Sequence, residues 1–175
     1  MAACLRELIP AQTIRARVAE LGAQISADYR DKPLILVGVL KGAFVFLADL
    51  AREIAVDARI DFVRLSSYGM KDRPQGLKFT MDVSLPIADS HLLLVEDILD
   101  TGRSMAFLQE RLSGRGAASV KLCTLVDKTG RRETRVRADY AGFRVDCGFL
   151  VGYGLDYAEA HRGLPGIFEL KVDGQ

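Results

Sequence analysis

The apolar positions of this chain change period several times, and each change predicts an element. Over residues 14–29, Val18, Leu21 and Ile25 recur at spacings of three and four, the period of an amphipathic helix, and Pro33 stops it. Residues 34–40 read Leu-Ile-Leu-Val-Gly-Val-Leu, a continuous apolar run between Pro33 and the Lys41-Gly42 pair that predicts a strand buried on both faces. Residues 43–54 return to a helical stripe of Phe44, Leu47, Leu50 and Ile54. Residues 60–66 alternate as a strand, residues 91–98 hold a second fully apolar core from Leu92 to Val95, and a helix is predicted from about 102 to 112. Strands over 119–126 and 149–153 follow. Strands alternating with helices predict a single α/β domain over residues 1–175, a mostly parallel twisted sheet flanked by helices on both faces. Residues 69–84 break the alternation: they are polar and punctuated by Gly and Pro, and a loop of that length in a compact domain is more often a functional lid than a plain connection.

Charge and composition narrow what such a domain does. Twenty-four Lys+Arg against twenty-three Asp+Glu leave a formal charge of +1, which offers no net field for nucleic acid or an acidic membrane. Any anion must then be held by a local site. One basic cluster exists, Lys128 with Arg131, Arg132, Arg135 and Arg137, but Glu133 and Asp139 offset it, and it reads as a solvated surface or a subunit contact. Cys4, Cys123 and Cys147 are odd in number and widely spaced, with no CxxC pair, which fits a reducing cytoplasm. Arg6 and Glu7 interrupt what a secretory signal would need as an apolar core, and no apolar run approaches the roughly 20 residues of a membrane span. A soluble, cytoplasmic chain is expected.

The chemistry concentrates in Leu92-Leu93-Leu94-Val95-Glu96-Asp97-Ile98-Leu99-Asp100-Thr101-Gly102-Arg103-Ser104. A buried strand runs into two adjacent carboxylates, a third, a turn of hydroxyl and glycine residues, and a helix. Ligands of open parallel sheets bind outside the carboxyl ends of the strands. The turn from Asp100 to Ser104 presents backbone N–H groups at a helix N-terminus, where a phosphate is favoured, with Thr101 and Ser104 adding hydroxyl donors. Carboxylates beside a phosphate repel it unless the ligand also carries hydroxyls or a divalent cation. A phosphorylated sugar with Mg²⁺ satisfies both requirements. The plainer alternative is a polar strand end with Thr101 as a helix cap.

The stretch Val95-Glu96-Asp97-Ile98-Leu99-Asp100-Thr101-Gly102 resembles the phosphoribosyl-pyrophosphate signature of the type I phosphoribosyltransferases. Three further landmarks resemble the hypoxanthine-guanine branch of that family. Val39-Leu40-Lys41-Gly42-Ala43 is similar to its pyrophosphate loop, Ser66-Ser67-Tyr68-Gly69 to the start of its mobile lid, and Phe149-Leu150-Val151-Gly152-Tyr153-Gly154-Leu155-Asp156-Tyr157 to its purine-binding segment. The resemblance implies the type I phosphoribosyltransferase fold, with a lid over about 67–84 and a small hood formed by the N- and C-terminal segments. It further implies transfer of the 5-phosphoribosyl group from phosphoribosyl pyrophosphate to N9 of hypoxanthine or guanine, in purine salvage, by a homodimer or homotetramer.

Residue by residue, the resemblance implies that Glu96 and Asp97 hold the ribose hydroxyls and Mg²⁺, and that Asp156 binds a second Mg²⁺. Asp100 would accept the purine N7 proton as N9 attacks, while Asp100, Thr101, Gly102, Arg103 and Ser104 cradle the 5′-phosphate. Lys41 and Gly42, with Arg162, would meet the pyrophosphate under a lid carrying Ser67 and Tyr68, and the Leu40–Lys41 peptide would be cis. Lys128 would donate to the exocyclic O6, Phe149 would stack on the purine, and the backbone near Leu150 and Asp156 would face its 2-position. On spacing alone, Lys41 reads more simply as an exposed strand-end lysine, and Phe149 nearly as well as an ordinary core residue. The competing function is a regulator of the same fold that binds the sugar phosphate without catalysis, although the chain leaves no room for an added DNA-binding domain.

Overall fold

A computed structural model of the chain describes residues 3–67, 76–146 and 148–172. The helices and strands predicted between residues 14 and 128 are present: α1 (Ala11–Asp28), β2 (Leu34–Leu40), α2 (Phe44–Glu53), β3 (Ala58–Ser67), β5 (His91–Leu99), α3 (Arg103–Ser113) and β6 (Ser119–Lys128). Four strands join them that the periodicity does not reveal: β1 (Ala3–Ile9), β4 (Leu77–Met81), β7 (Tyr140–Val145) and β9 (Ile167–Val172). β4 corrects the loop reading of 69–84, because part of that stretch pairs antiparallel with β3. The 149–153 run is corrected too. Its strand, β8 (Leu150–Val151), belongs to a separate antiparallel sheet of order β1-β9-β8, not to the main sheet.

The main sheet has the order β4-β3-β2-β5-β6-β7, parallel except for β4. From β2 the chain passes to β3 on one side, whereas β5, β6 and β7 advance on the other. The strand order therefore reverses between β2 and β5, and at such a switch point the outgoing connections leave a crevice. β2 and β5 are apolar along almost their whole length because both faces are covered. On one face, Ile14, Val18, Leu21 and Ile25 of α1 and Phe46, Leu47 and Leu50 of α2 pack with Leu36, Leu93 and Leu125. On the other, Met105, Leu108 and Leu112 of α3 meet Ile35, Leu94 and Leu122. Cys123 lies inside the first core with its thiol pushed up by burial, which leaves it inert; Cys147 lies outside the described residues.

α1 and α2 approach closely at Gly22, where an added Cβ would lie 2.5 Å from Glu53 Cβ and 2.7 Å from the Glu53 carbonyl oxygen. Backbone cannot swing aside as a side-chain tip can. Gly22→Ala is expected to wedge the helices apart and destabilise the fold by about 1–3 kcal/mol, read as a lowered Tm.

Candidate active site

The site lies at the carboxyl ends of β2, β5 and β6. β5 carries Glu96 and Asp97 in its last turns of pleat, and register pairs Leu99 with Asp127 of β6, so Asp100 and Lys128 each stand one residue beyond the same rung. The chain then turns through Thr101 into Gly102, which caps α3 at φ 82°. A Cβ at Gly102 would sit 2.2 Å from Thr134 Oγ1 in a backbone region that other residues rarely occupy, so glycine is required there. α3 has no side-chain cap and no acidic residue in its first turn. Its first N–H groups open on a small cavity of about 110 Å³ lined by Glu96, Asp100, Thr101, Gly102 and Ser104. A helix N-terminus without an internal anion holds a phosphate well.

Two acceptors in the lining of that cavity have no partner among the described residues: Glu96 Oε2 and Asp100 Oδ1 are buried without hydrogen bonds. Burial, with Asp97 adjacent, pushes the Glu96 carboxyl well above the usual range, and burial raises that of Asp97 as well. Asp100 Oδ2 lies 3.5 Å from Arg131 Nη1. Across the switch point, Gly42 backs onto the acid pair so tightly that a Cβ there would fall 1.8 Å from Asp97 Oδ2. The Leu40–Lys41 peptide before it is cis.

The segment 153–162 closes this side. A Cβ at Gly154 would lie 2.1 Å from the Gly42 carbonyl oxygen. Arg162 donates to the Gly154 carbonyl (2.8 Å) and pairs with Asp156 Oδ1 (2.9 Å) and Glu159 Oε2 (3.0 Å). Lys41 Nζ pairs with the other oxygen of Glu159 at 2.8 Å. One carboxylate therefore bridges the two cations expected at the pyrophosphate, and the hydrogen bonds from Lys41 and Arg162 hold its pKa below the usual range. Glu159 carries no sequence signal; only the fold brings it to Lys41.

Lys128 is 8 % exposed, and its ammonium donates to the Gly148 carbonyl at 2.8 Å with no carboxylate in ion-pair range among the described residues. A buried ammonium with one acceptor has donors to spare. Phe149 is 51 % exposed, so it is not a core residue, and Tyr157 meets its edge with ring centroids 5.4 Å apart. Tyr157 is a site aromatic that sequence reasoning passes over. Leu150 turns its side chain into the core, leaving its backbone alone for any ligand. The structure thus gathers Glu96, Asp97, Asp100, Thr101, Gly102 and Ser104 with Gly42. Asp156 is held by Arg162, and no group of three ligating side chains forms a metal cluster among the described residues. Arg103 points away to an ion pair with Glu133. Ser67 ends β3, parallel to β2, and Tyr68 lies outside the described residues.

A switch-point crevice with a helix N-terminus on one wall and a buried acid pair on the other is the layout of an α/β protein built for a phosphorylated ligand that also carries hydroxyls or a cation. The chain belongs to the phosphoribosyl transferase domain family, whose pattern matches residues 6–158. It is 43% identical over 161 residues to the hypoxanthine phosphoribosyltransferase of Escherichia coli K12, covering 90% of each chain. To the hypoxanthine-guanine phosphoribosyltransferase of Bacillus subtilis it is 41% identical over 165 residues, covering 94% of this chain and 92% of that one. A crystal structure of a hypoxanthine phosphoribosyltransferase from Staphylococcus aureus superposes with a TM-score of 0.91 at 38% identity, covering 95% of this chain and 91% of that one. Among the described residues, no helix is long and apolar enough to cross a membrane.

Proposed function

We propose that this chain transfers the 5-phosphoribosyl group from phosphoribosyl pyrophosphate to N9 of hypoxanthine or guanine, releasing pyrophosphate. The observation that carries the reading is the placement of Asp100. Its Oδ1 is a buried acceptor without a partner among the described residues, on the turn that opens α3, and Asp100 and Lys128 each follow the same β5–β6 rung. Such a group takes a proton from a base whose oxygen the lysine holds.

In this reading the α3 N-terminus, Thr101 and Ser104 bind the 5′-phosphate, and Glu96 and Asp97 accept hydrogen bonds from the ribose hydroxyls. The acid pair also fits Mg²⁺, because a buried carboxylate oxygen without a partner beside a second carboxylate is stabilised by a cation, and this ion commonly takes few protein ligands plus substrate oxygens. Asp156 would serve a second ion. The chemistry supplied by bound Mg²⁺ is neutralisation of charge on the leaving pyrophosphate. Lys41, the Gly42 N–H and Arg162 bind that group, with Ser67 and Tyr68 closing above it. Phe149, steadied by Tyr157, stacks on the purine and Lys128 donates to O6. As the bond from C1 to pyrophosphate breaks, the N9 lone pair forms the new bond and Asp100 accepts the proton from N7. Exclusion of water matters because the oxocarbenium-like centre would otherwise hydrolyse.

A pyrophosphate-release assay tests this. Release that requires both phosphoribosyl pyrophosphate and a 6-oxopurine is expected; release without base would make the protein a hydrolase, and none at all would leave a binding protein. Glu159 gives a second test. Because its carboxylate must yield Lys41 and Arg162 to the substrate, Glu159→Gln is expected to lower KM for phosphoribosyl pyrophosphate roughly two- to fivefold, most clearly at low ionic strength.

A further inference from the structure

The sequence places Arg132 in a solvated basic cluster, and the structure corrects this. Its side chain is 15 % exposed, and each of the three guanidinium nitrogens donates. Nε donates to the Asp100 carbonyl (2.9 Å) and Nη1 to the Val136 carbonyl (2.7 Å). Nη2 reaches the Leu99 carbonyl (2.9 Å), Asp127 Oδ1 (2.5 Å) and, more weakly, the Lys128 carbonyl (3.4 Å). Its stem also walls in the capping turn, since a Cβ at Gly102 would lie 3.1 Å from Arg132 Cδ. The next residue continues the attachment: the Glu133 N–H donates to the Thr101 carbonyl at 2.9 Å.

These contacts join the ends of β5 and β6 where the ladder between those two strands stops, although β6 stays paired with β7 through Lys128. The β5–β6 pairing stops at Leu99 and Asp127, and the residues that follow, Asp100 and Lys128, carry the chemistry. We infer that Arg132 is a positioning residue: its planar fork locks the Asp100 turn to the end of β6, fixing the proton acceptor relative to the O6 donor. The inference rests on the proposed transferase reading for its kinetic consequences but not for its structural one. Lysine cannot substitute, because three donors on a single nitrogen do not span carbonyls lying in several directions.

The test is Arg132→Lys, studied in the full chain by hydrogen exchange and by steady-state kinetics with hypoxanthine and adenine. Faster amide exchange is expected in peptides spanning 97–105 and 125–130, with β2 and α1 unchanged. A fall in kcat of roughly ten- to hundredfold is expected with a narrowed preference for hypoxanthine over adenine. A change in KM for phosphoribosyl pyrophosphate alone, or unchanged exchange in the two peptides, would overturn the inference. If Arg132→Lys does not fold, Asp127→Asn removes the one carboxylate partner of the fork and is expected to shift exchange and base preference in the same direction; no shift would overturn it equally. Should the wild type make no nucleotide, the transferase reading fails while the exchange arm still decides the role of Arg132.

Discussion

Asp100→Asn is expected to lower kcat by roughly 10²–10⁴-fold while leaving KM for phosphoribosyl pyrophosphate within a few-fold of wild type. The substitution preserves shape. The Asp100 carbonyl that anchors Arg132 is backbone and survives, and the turn into Gly102 does not depend on the carboxylate. What is lost is a buried acceptor: among the described residues Oδ1 has no hydrogen bond, and Oδ2 lies 3.5 Å from the exposed Arg131. An amide in that place offers the purine N7 proton no base. A loss confined to kcat assigns Asp100 to proton transfer, whereas a matching rise in KM would assign it to phosphate binding instead.

Lys128→Ala carries the other large effect. Removing a charged donor to a substrate acceptor is worth about 1.5–3 kcal/mol, so kcat/KM for hypoxanthine should fall roughly ten- to 150-fold. Adenine carries an amine where hypoxanthine carries O6, so the wild type rejects it through an ammonium left facing another donor. The variant removes that mismatch, and adenine is expected to lose little or to gain. The ratio is the decisive quantity. Lys128 also ties Gly148 down, so a merely structural lesion would lower both substrates together and leave their ratio intact.

Both predictions rest on a site that was largely legible as a sequence. The 92–104 stretch reads directly because a strand buried on both faces is continuously apolar, so the carboxylates that end it stand out. The contact of Gly102 with Thr134, where an added Cβ would fall 2.2 Å from Oγ1, has no signal in the sequence. The four unseen strands lack such a signature for identifiable reasons. β1 and β9 pair only with each other and with β8, across the length of the chain, and their solvent-side charges, Arg6 and Glu169, form an ion pair. β7 is an edge strand containing Gly142, whose Cβ would fall 2.4 Å from the Leu125 carbonyl oxygen. β4 is half-exposed on the opposite edge.

The same logic explains why Arg132 reads as a surface residue and why Glu159 carries no signal. Arg132 looks like its neighbours Arg131 and Arg135 until tertiary contacts bury it, since local sequence distinguishes no arginine from another. Glu159 is remote from Lys41 in sequence and meets it only because residues 153–162 fold back over the end of β2. Phe149 is apolar yet half-exposed, which tells against the core alternative that spacing left open.

The central claim is tested most directly by supplying the protein with phosphoribosyl pyrophosphate and Mg²⁺, offering hypoxanthine, guanine, xanthine and adenine separately, and following nucleotide formation. IMP or GMP should appear, with adenine strongly disfavoured. Failure to form a nucleotide from either hypoxanthine or guanine, or equal use of adenine, would contradict the account.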